Sequence, residues 1–141
     1  ISASGMSVEE YVEEEVRKRG GKPTLMGYAR PIAKGDERIG AMEGVTRRLG
    51  FSLGPHLKLA YDIEKQLAQR FDETMNINGY GSAFMADQGM TPIDTYRINS
   101  VMVASGVTAC YVDHVDSAQG LFSPLRVKDV AYEGVAARSV K

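Results

Sequence analysis

The sequence predicts an all-α protein. In several segments apolar residues recur every three or four positions, as they do along one face of a helix. Residues that favour helix starts precede these segments, and glycines follow them. No stretch shows the apolar–polar alternation that is typical of a half-buried strand. The 141 residues therefore predict five helices, in a chain long enough to bury a hydrophobic core.

The first helix has the clearest start. Ser7 followed by Glu10 is a capping-box pattern, and Gly20-Gly21 ends the segment. Glutamates fill its first half and basic residues its end, which suits the helix dipole. Its apolar stripe consists of Val8, Tyr11, Val12 and Val16.

The second and third helices follow at short spacing. The second begins near Asp36 and ends at Gly50, and the third follows Gly54-Pro55. Both should turn an apolar stripe toward the core. The stripe of the second helix is Ile39, Met42, Val45 and Leu49. That of the third is Leu57, Ala60, Tyr61, Ile63 and Leu67.

The segment "MNINGYGS" (residues 75–82) is predicted to be a loop because asparagines and glycines dominate it. A short helix then ends at Gly89. From Ser117 onward the pattern decays into a tail without a clear period.

The fifth helix opens at "TPID", where Thr91 suits the N-cap and Pro92 the first helical position. It should run to about His114. Its second half, Val101 to Val112, is apolar or small on every side. That composition predicts a buried central helix. The other helices of the chain do not offer enough surface to bury it on every side. We therefore expect an oligomer.

The composition argues against several classes of protein. A formal charge of −1 argues against a nucleic-acid or membrane-surface protein, and one cysteine excludes an internal disulfide framework. The longest apolar stretch is too short to span a bilayer. The start of the sequence lacks the layout of a signal peptide. A cytoplasmic setting is the expectation.

The stretch "GYARPIAKGDER" (residues 27–38) has the glycines and proline of a functional loop. From residue 17 to residue 38, seven basic residues outnumber the two acidic residues, Asp36 and Glu37. The cations are Arg17, Lys18, Arg19, Lys22, Arg30, Lys34 and Arg38. Such an excess suits a phosphorylated ligand. A solvated charge cluster is the commoner outcome, and the residues alone leave both interpretations open.

Other candidate residues carry weaker signals. Asp113, His114 and Asp116 are too close in sequence to face one metal from a helix, so no metal site is predicted. His56, after Gly-Pro at a helix start, is expected to be solvent-facing or structural. Cys110 in an apolar helix is typical of a small buried side chain. No P-loop, dinucleotide fingerprint or nucleophile elbow is present.

The order of four segments resembles the C-terminal part of the citrate synthase family, especially its citryl-CoA lyase-like branch. "SVEEYVEEEVRKRGGKPTLMGYARPI" resembles the family helix and its Gly-aromatic-Gly-His-Pro loop, and "KGDERIGAMEGVTRRLGF" the Asp-Pro-Arg segment with its helix. "HLKLAYDIEKQLAQRF" resembles the next helix, and "MNINGYGSAFMADQGMTP" the Asn-Val-Asp-Gly stretch. The resemblance implies a citrate synthase-like helical fold. Residues 1–89 would belong to the small domain and residues 90–141 to the large domain.

The resemblance also implies where the catalytic and binding residues of the family fall in this sequence. Several of them are substituted. The loop histidine of the family falls at Arg30, after Ala29 in place of a glycine, and its catalytic aspartate falls at Asn78. By the same comparison Gly27 and Arg38 would bind substrate and Lys34 would bind coenzyme A. Further family arginines fall at Val103 and, loosely, at Ser123. The first catalytic histidine of the family precedes the region covered.

Family enzymes make or break a carbon–carbon bond between an acyl-CoA and a keto acid, using a carboxylate base and histidines. The resemblance therefore implies a coenzyme A thioester as substrate, without a covalently bound cofactor. One hypothesis is a synthase or lyase with altered chemistry, whose missing N-terminal half comes from a partner chain in a homo- or hetero-oligomer. The other is a pseudoenzyme that serves in coenzyme A binding, assembly or regulation. An unrelated helical interaction domain is a third possibility. We expect the isolated chain to be inactive.

Overall fold

The computed structural model describes residues 4–30 and 34–116 together with Gly134. Within these residues the chain forms five helices and no strand, as the sequence predicted. They are α1 (Val8–Arg19), α2 (Glu37–Arg48), α3 (Pro55–Phe71), α4 (Ile77–Asp87) and α5 (Pro92–Asp116). The chain divides into two compact units, Ile1–Asn99 and Ser100–Lys141, so α5 starts in the first unit and ends in the second. The boundary expected near Gly89 stays a prediction.

The predicted start of α1 is confirmed. The Ser7 side chain accepts from the backbone N–H of Glu10, and the Glu10 carboxylate accepts from the N–H of Ser7. Gly20 adopts the left-handed conformation that ends many helices. Thr91 and Asp94 form the same reciprocal pattern at the start of α5.

The core of the first unit is built around α3. Val12 and Leu25 pack on Ile63 and Leu67, which lie in the second half of that helix. At its first half Leu57 and Ala60 pack against residues of the following segment, namely Met75 and Tyr80. Four residues of the predicted α3 stripe are confirmed as buried, namely Leu57, Ala60, Ile63 and Leu67, and Tyr61 is partly buried.

The expectation for α2 was wrong in part. The helix forms where predicted and Asp36 caps it, but none of its residues is buried. Ile39 is partly buried against the core, whereas Met42, Val45 and Leu49 are exposed. A helical period identifies an apolar face, but it does not identify what covers that face.

Two further expectations need correction. The loop predicted over residues 75–82 is mostly helix, because the Asn76 side chain accepts from the N–H groups of Asn78 and Gly79 and starts α4 at Ile77. The predicted burial of residues 101–112 is also wrong for this chain, since no residue of α5 is buried. Cys110 is exposed with them. Ser123 and the tail from Ser117 lie outside the described residues, Gly134 excepted.

Candidate functional site

A close backbone contact joins the loop before residue 30 to the start of α4. Gly27 is buried and has a φ of +93°, and a Cβ on Gly79 would lie 2.3 Å from the Gly27 carbonyl oxygen. Only glycines fit this approach. The Gly27 carbonyl accepts from the N–H of Asn76 at 2.9 Å. The contact fixes the loop against the helix that carries Asn78.

Ala29 continues this attachment. Its N–H donates to the carbonyl of Thr74 at 2.8 Å, and its own carbonyl accepts from the Asn76 side chain at 3.0 Å. Its φ of +66° is in the left-handed region that favours glycine. The glycine expected at this position from the family resemblance would therefore suit the backbone better than the alanine present.

Arg30 is held inside its own loop. Its guanidinium donates to the Gly35 carbonyl at 3.0 Å and to the Glu37 carboxylate at 2.7 Å. One of its nitrogens also lies 3.8 Å from the Asp36 carboxylate. Hydrogen bonds and the Arg30 charge lower the pKa of Glu37. The arginine thus has a carboxylate partner.

Asp36 organises the same region. Its side chain is fully buried, accepts two hydrogen bonds of 2.8 Å from the Arg38 guanidinium, and accepts from the N–H of Ile77 at 2.7 Å. Hydrogen bonds from the Arg38 side chain hold the pKa of Asp36 far below its usual range. Burial raises this pKa, but the backbone N–H groups of Ile77 and Arg38 lower it further. Arg38, expected to bind substrate, is already paired.

A cavity of about 340 Å³, here the Lys34 cavity, lies beside this loop. Arg30 and Lys34 line it, together with Lys22, Ala29, Asp72, Glu73 and Thr74. Lys34 pairs with Asp72, and the Lys22 amine lies 2.7 Å from the Glu73 carboxylate. Acidic residues distant in sequence thus offset much of the local positive charge. This arrangement agrees with the alternative of a solvated charge cluster.

A second cavity, of about 330 Å³, lies at the α3–α4 side of the loop and is here named the Asn78 cavity. Its polar lining includes Tyr28, His56, Asn78 and Ser82, and Gly27 contributes backbone. The rest of the lining is Met26, Gly79 and apolar side chains of α3 and α4, namely Leu59, Ala60, Ile63, Ala83 and Ala86. The Asn78 side-chain carbonyl accepts from the Asn99 amide at 3.2 Å.

The structure therefore separates the expected site residues. Gly27 and Asn78 line one cavity, Arg30 and Lys34 line the other, and Arg38 lines neither of these two. From the sequence, His56 was expected to be solvent-facing or structural, and Asp87 was not considered. These two residues are 31 positions apart, yet the His56 ring lies 2.9 Å from the Asp87 carboxylate and lines the Asn78 cavity.

No metal cluster or membrane span is found in the described part of the chain. No three histidine, cysteine or acidic side chains there come together as metal ligands. None of the helices formed by those residues is both long and apolar enough to cross a bilayer.

Comparison with solved structures identifies a similar fold. The chain resembles the structure of citryl-CoA lyase from Hydrogenobacter thermophilus with a TM-score of 0.58 and 21% sequence identity. The match covers 99% of this chain and 54% of that one, so the chain spans about half the length of the structure that it matches. No family model and no curated protein matches the sequence. The fold is therefore all-α and citrate synthase-like.

Proposed function

We propose that the chain is the C-terminal part or subunit of a citrate synthase-like protein that acts on an acyl-CoA by making or breaking a carbon–carbon bond. The observation that carries the proposal is the Gly27–Gly79 contact, which holds residues 27–30, here named the Arg30 loop, against the helix that bears Asn78. The similarity to a citryl-CoA lyase over nearly the whole chain supports the same protein class. Small-domain elements up to about Gly89, followed by a large-domain part, form part of this proposal.

The chemistry of such a site would be altered. An arginine stays protonated at neutral pH, and an asparagine amide is too weakly basic to accept a proton there. Arg30 can stabilise an anionic oxygen only by charge and hydrogen bonding. We therefore expect no thiol release from acetyl-CoA with oxaloacetate, and no cleavage of citryl-CoA, by the isolated chain. The changes Arg30→His and Asn78→Asp should not restore either activity, because groups that act as a unit are not additive.

Coenzyme A would bind at the Lys34 cavity. The side chains of Lys34 and Asp72 are 63% and 73% exposed, and exposed ion pairs contribute little to stability. A phosphate group could replace Asp72 at the Lys34 amine at small cost. Substrate is then a coenzyme A thioester, with no covalently attached cofactor, and the cytoplasm is the compartment we propose.

A second polypeptide would complete the protein. The chain matches 54% of the citryl-CoA lyase structure. Helix α5 leaves large apolar side chains exposed, among them Val101 at 77% and Tyr111 at 67%. Exposed apolar surface of this kind is typical of an interface. The partner would be another copy or a chain that supplies the N-terminal half of the fold.

One observation favours a non-catalytic alternative. Arg30 is paired with Glu37 at 2.7 Å, and Asn78 is bonded to Asn99 at 3.2 Å. Both positions that correspond to family catalytic residues thus make contacts that stabilise the fold. The alternative is a citrate synthase-like pseudoenzyme that binds coenzyme A or serves in assembly.

Calorimetric titration with coenzyme A tests the proposal. We expect weak binding that salt weakens further, and at least a threefold loss of affinity in Lys34→Ala. Lys58, an exposed lysine of α3, provides the matched control, and Lys58→Ala should bind like the unmodified chain. Absence of binding, or equal losses in the two variants, would contradict coenzyme A binding at this cavity.

A further inference from the structure

His56 and Asp87 form a pair at the start of α3. The Asp87 side chain is only 3% exposed and accepts from the N–H groups of His56 and Leu57 at 2.8 and 3.0 Å. Its Oδ1 also lies 2.9 Å from the His56 ring nitrogen Nδ1. Gly54 makes room for this carboxylate, because a Cβ there would lie 2.3 Å from it.

The hydrogen bonds determine which ring nitrogen carries the proton. Burial raises the pKa of Asp87, but hydrogen bonds from the His56 and Leu57 amides and from the His56 ring outweigh it and lower the pKa. The carboxylate is therefore ionised at neutral pH and can only accept, so Nδ1 carries the hydrogen. In the neutral ring the lone pair stays on Nε2, which has no hydrogen-bond partner in the described part of the chain.

The His56 ring lines the Asn78 cavity along with Asn78 and Ser82 of α4. Those two residues are four positions apart and share one helix face. Most of the remaining lining is apolar. A volume of about 330 Å³ with apolar walls and a few polar groups suits a small amphipathic ligand.

We propose that His56, positioned by Asp87, is a proton-transfer residue for the thiol end of a coenzyme A-type ligand in the Asn78 cavity. The choice of a thiol rests on the proposed function. The thiol proton moves to Nε2 and its electron pair stays on sulfur, which gives a thiolate beside an imidazolium. Asp87 balances the imidazolium charge, and the proton returns along the same path.

The test uses N-acetylcysteamine, which has the cysteamine thiol and amide of coenzyme A and no phosphates. Its alkylation by iodoacetamide is followed near pH 6.5 in a Cys110→Ser background, because Cys110 is the single protein thiol. Thiolates, not thiols, are alkylated, and a free thiol is only about 1% ionised there. We expect the protein to accelerate alkylation at least fivefold and saturably.

Two variants make the test specific. His56→Gln should abolish the acceleration while the N–H groups of residues 56 and 57 still bind Asp87. His114→Gln, which changes the other histidine of the chain, should keep it. Absence of acceleration in the unmodified protein, or an equal acceleration in His56→Gln, would overturn the proposal.

The outcome of the alkylation test can be distinguished from the outcome of the test for coenzyme A binding. N-acetylcysteamine has no phosphate for the Lys34 cavity, so its alkylation does not depend on coenzyme A binding there. Acceleration without coenzyme A binding would remove the proposed function and retain the thiol site. Coenzyme A binding without acceleration would retain the proposed function and overturn the thiol site.

Discussion

The carboxylate of Asp36 accepts a hydrogen bond of 2.7 Å from the N–H of Ile77, the first residue of α4. The same carboxylate caps α2 through the N–H of Arg38 and binds the Arg38 guanidinium. The starts of α2 at Glu37 and of α4 at Ile77 therefore share one buried acceptor. This carboxylate joins the Arg30 loop to the helix that carries Asn78.

Replacing Asp36 by alanine should lower the free energy of unfolding by about 2–3 kcal/mol, because one substitution removes the cap of α2 and the acceptor for the first N–H group of α4. Urea denaturation followed by circular dichroism measures the change. Asp62, an exposed aspartate of α3, is the matched control, and Asp62→Ala should change stability by less than about 0.5 kcal/mol. Equal effects of the two changes would show that Asp36 does not join the helices.

The lowered pKa of Asp36 predicts a pH dependence of stability. A carboxyl with a depressed folded-state pKa stabilises the protein above its unfolded-state pKa, here about 3.9, and this contribution is lost as pH falls toward the folded value. The stability difference between the unmodified chain and Asp36→Asn should thus be constant from pH 7 to 5 and shrink below about pH 4. A difference that does not change with pH would contradict the ionised state of Asp36.

Two glycines of α4 should respond oppositely to alanine. Gly79→Ala would place a Cβ 2.3 Å from the Gly27 carbonyl, a backbone atom that cannot move cheaply, so we expect a loss of at least about 2 kcal/mol. Gly81 has open space at its Cβ position, and Gly81→Ala should raise stability by about 0.5–1 kcal/mol through helix propensity. Thermal denaturation of both variants provides the measurement. A harmless Gly79→Ala would disprove the close contact.

The exposure of α5 predicts self-association or a partner chain. Every described residue from Ser100 to Asp116 is exposed, including Val107 and Val115. Light scattering at low micromolar concentration should give the mass of a dimer or larger complex, and Val107→Glu should reduce it. The prediction would be contradicted by a monodisperse monomer whose mass does not increase when a chain that supplies the N-terminal half of the fold is added.

The helices could be predicted well from local signals. The capping residues of α1, α2 and α5 act within three residues of themselves, and the α3 stripe repeats at helical spacing. The start of α4 was missed because asparagines and glycines favour loops. Asn76 acts instead as an N-cap, and Gly79 is needed for the approach of Gly27.

The site was less predictable because its contacts join distant positions. Counting charges near the loop gave an excess of cations, but Asp72 and Glu73 come from after α3 and pair with Lys34 and Lys22. The His56–Asp87 pair likewise links the start of one helix to the end of another. The Gly-Pro-His start of α3 predicted a helix start, but nothing near His56 in the sequence pointed to Asp87.

Amide chemical-shift mapping with coenzyme A is the sharpest test of a coenzyme A site in this fold, since it locates the ligand as well as detecting it. We expect saturable shifts of residues that line the Lys34 cavity, notably Ala29, Lys34 and Thr74, and their loss in Lys34→Ala. Lys58→Ala should leave the shifts in place. Shifts confined to other surfaces, or none at millimolar coenzyme A with any companion chain present, would contradict a coenzyme A site in this fold.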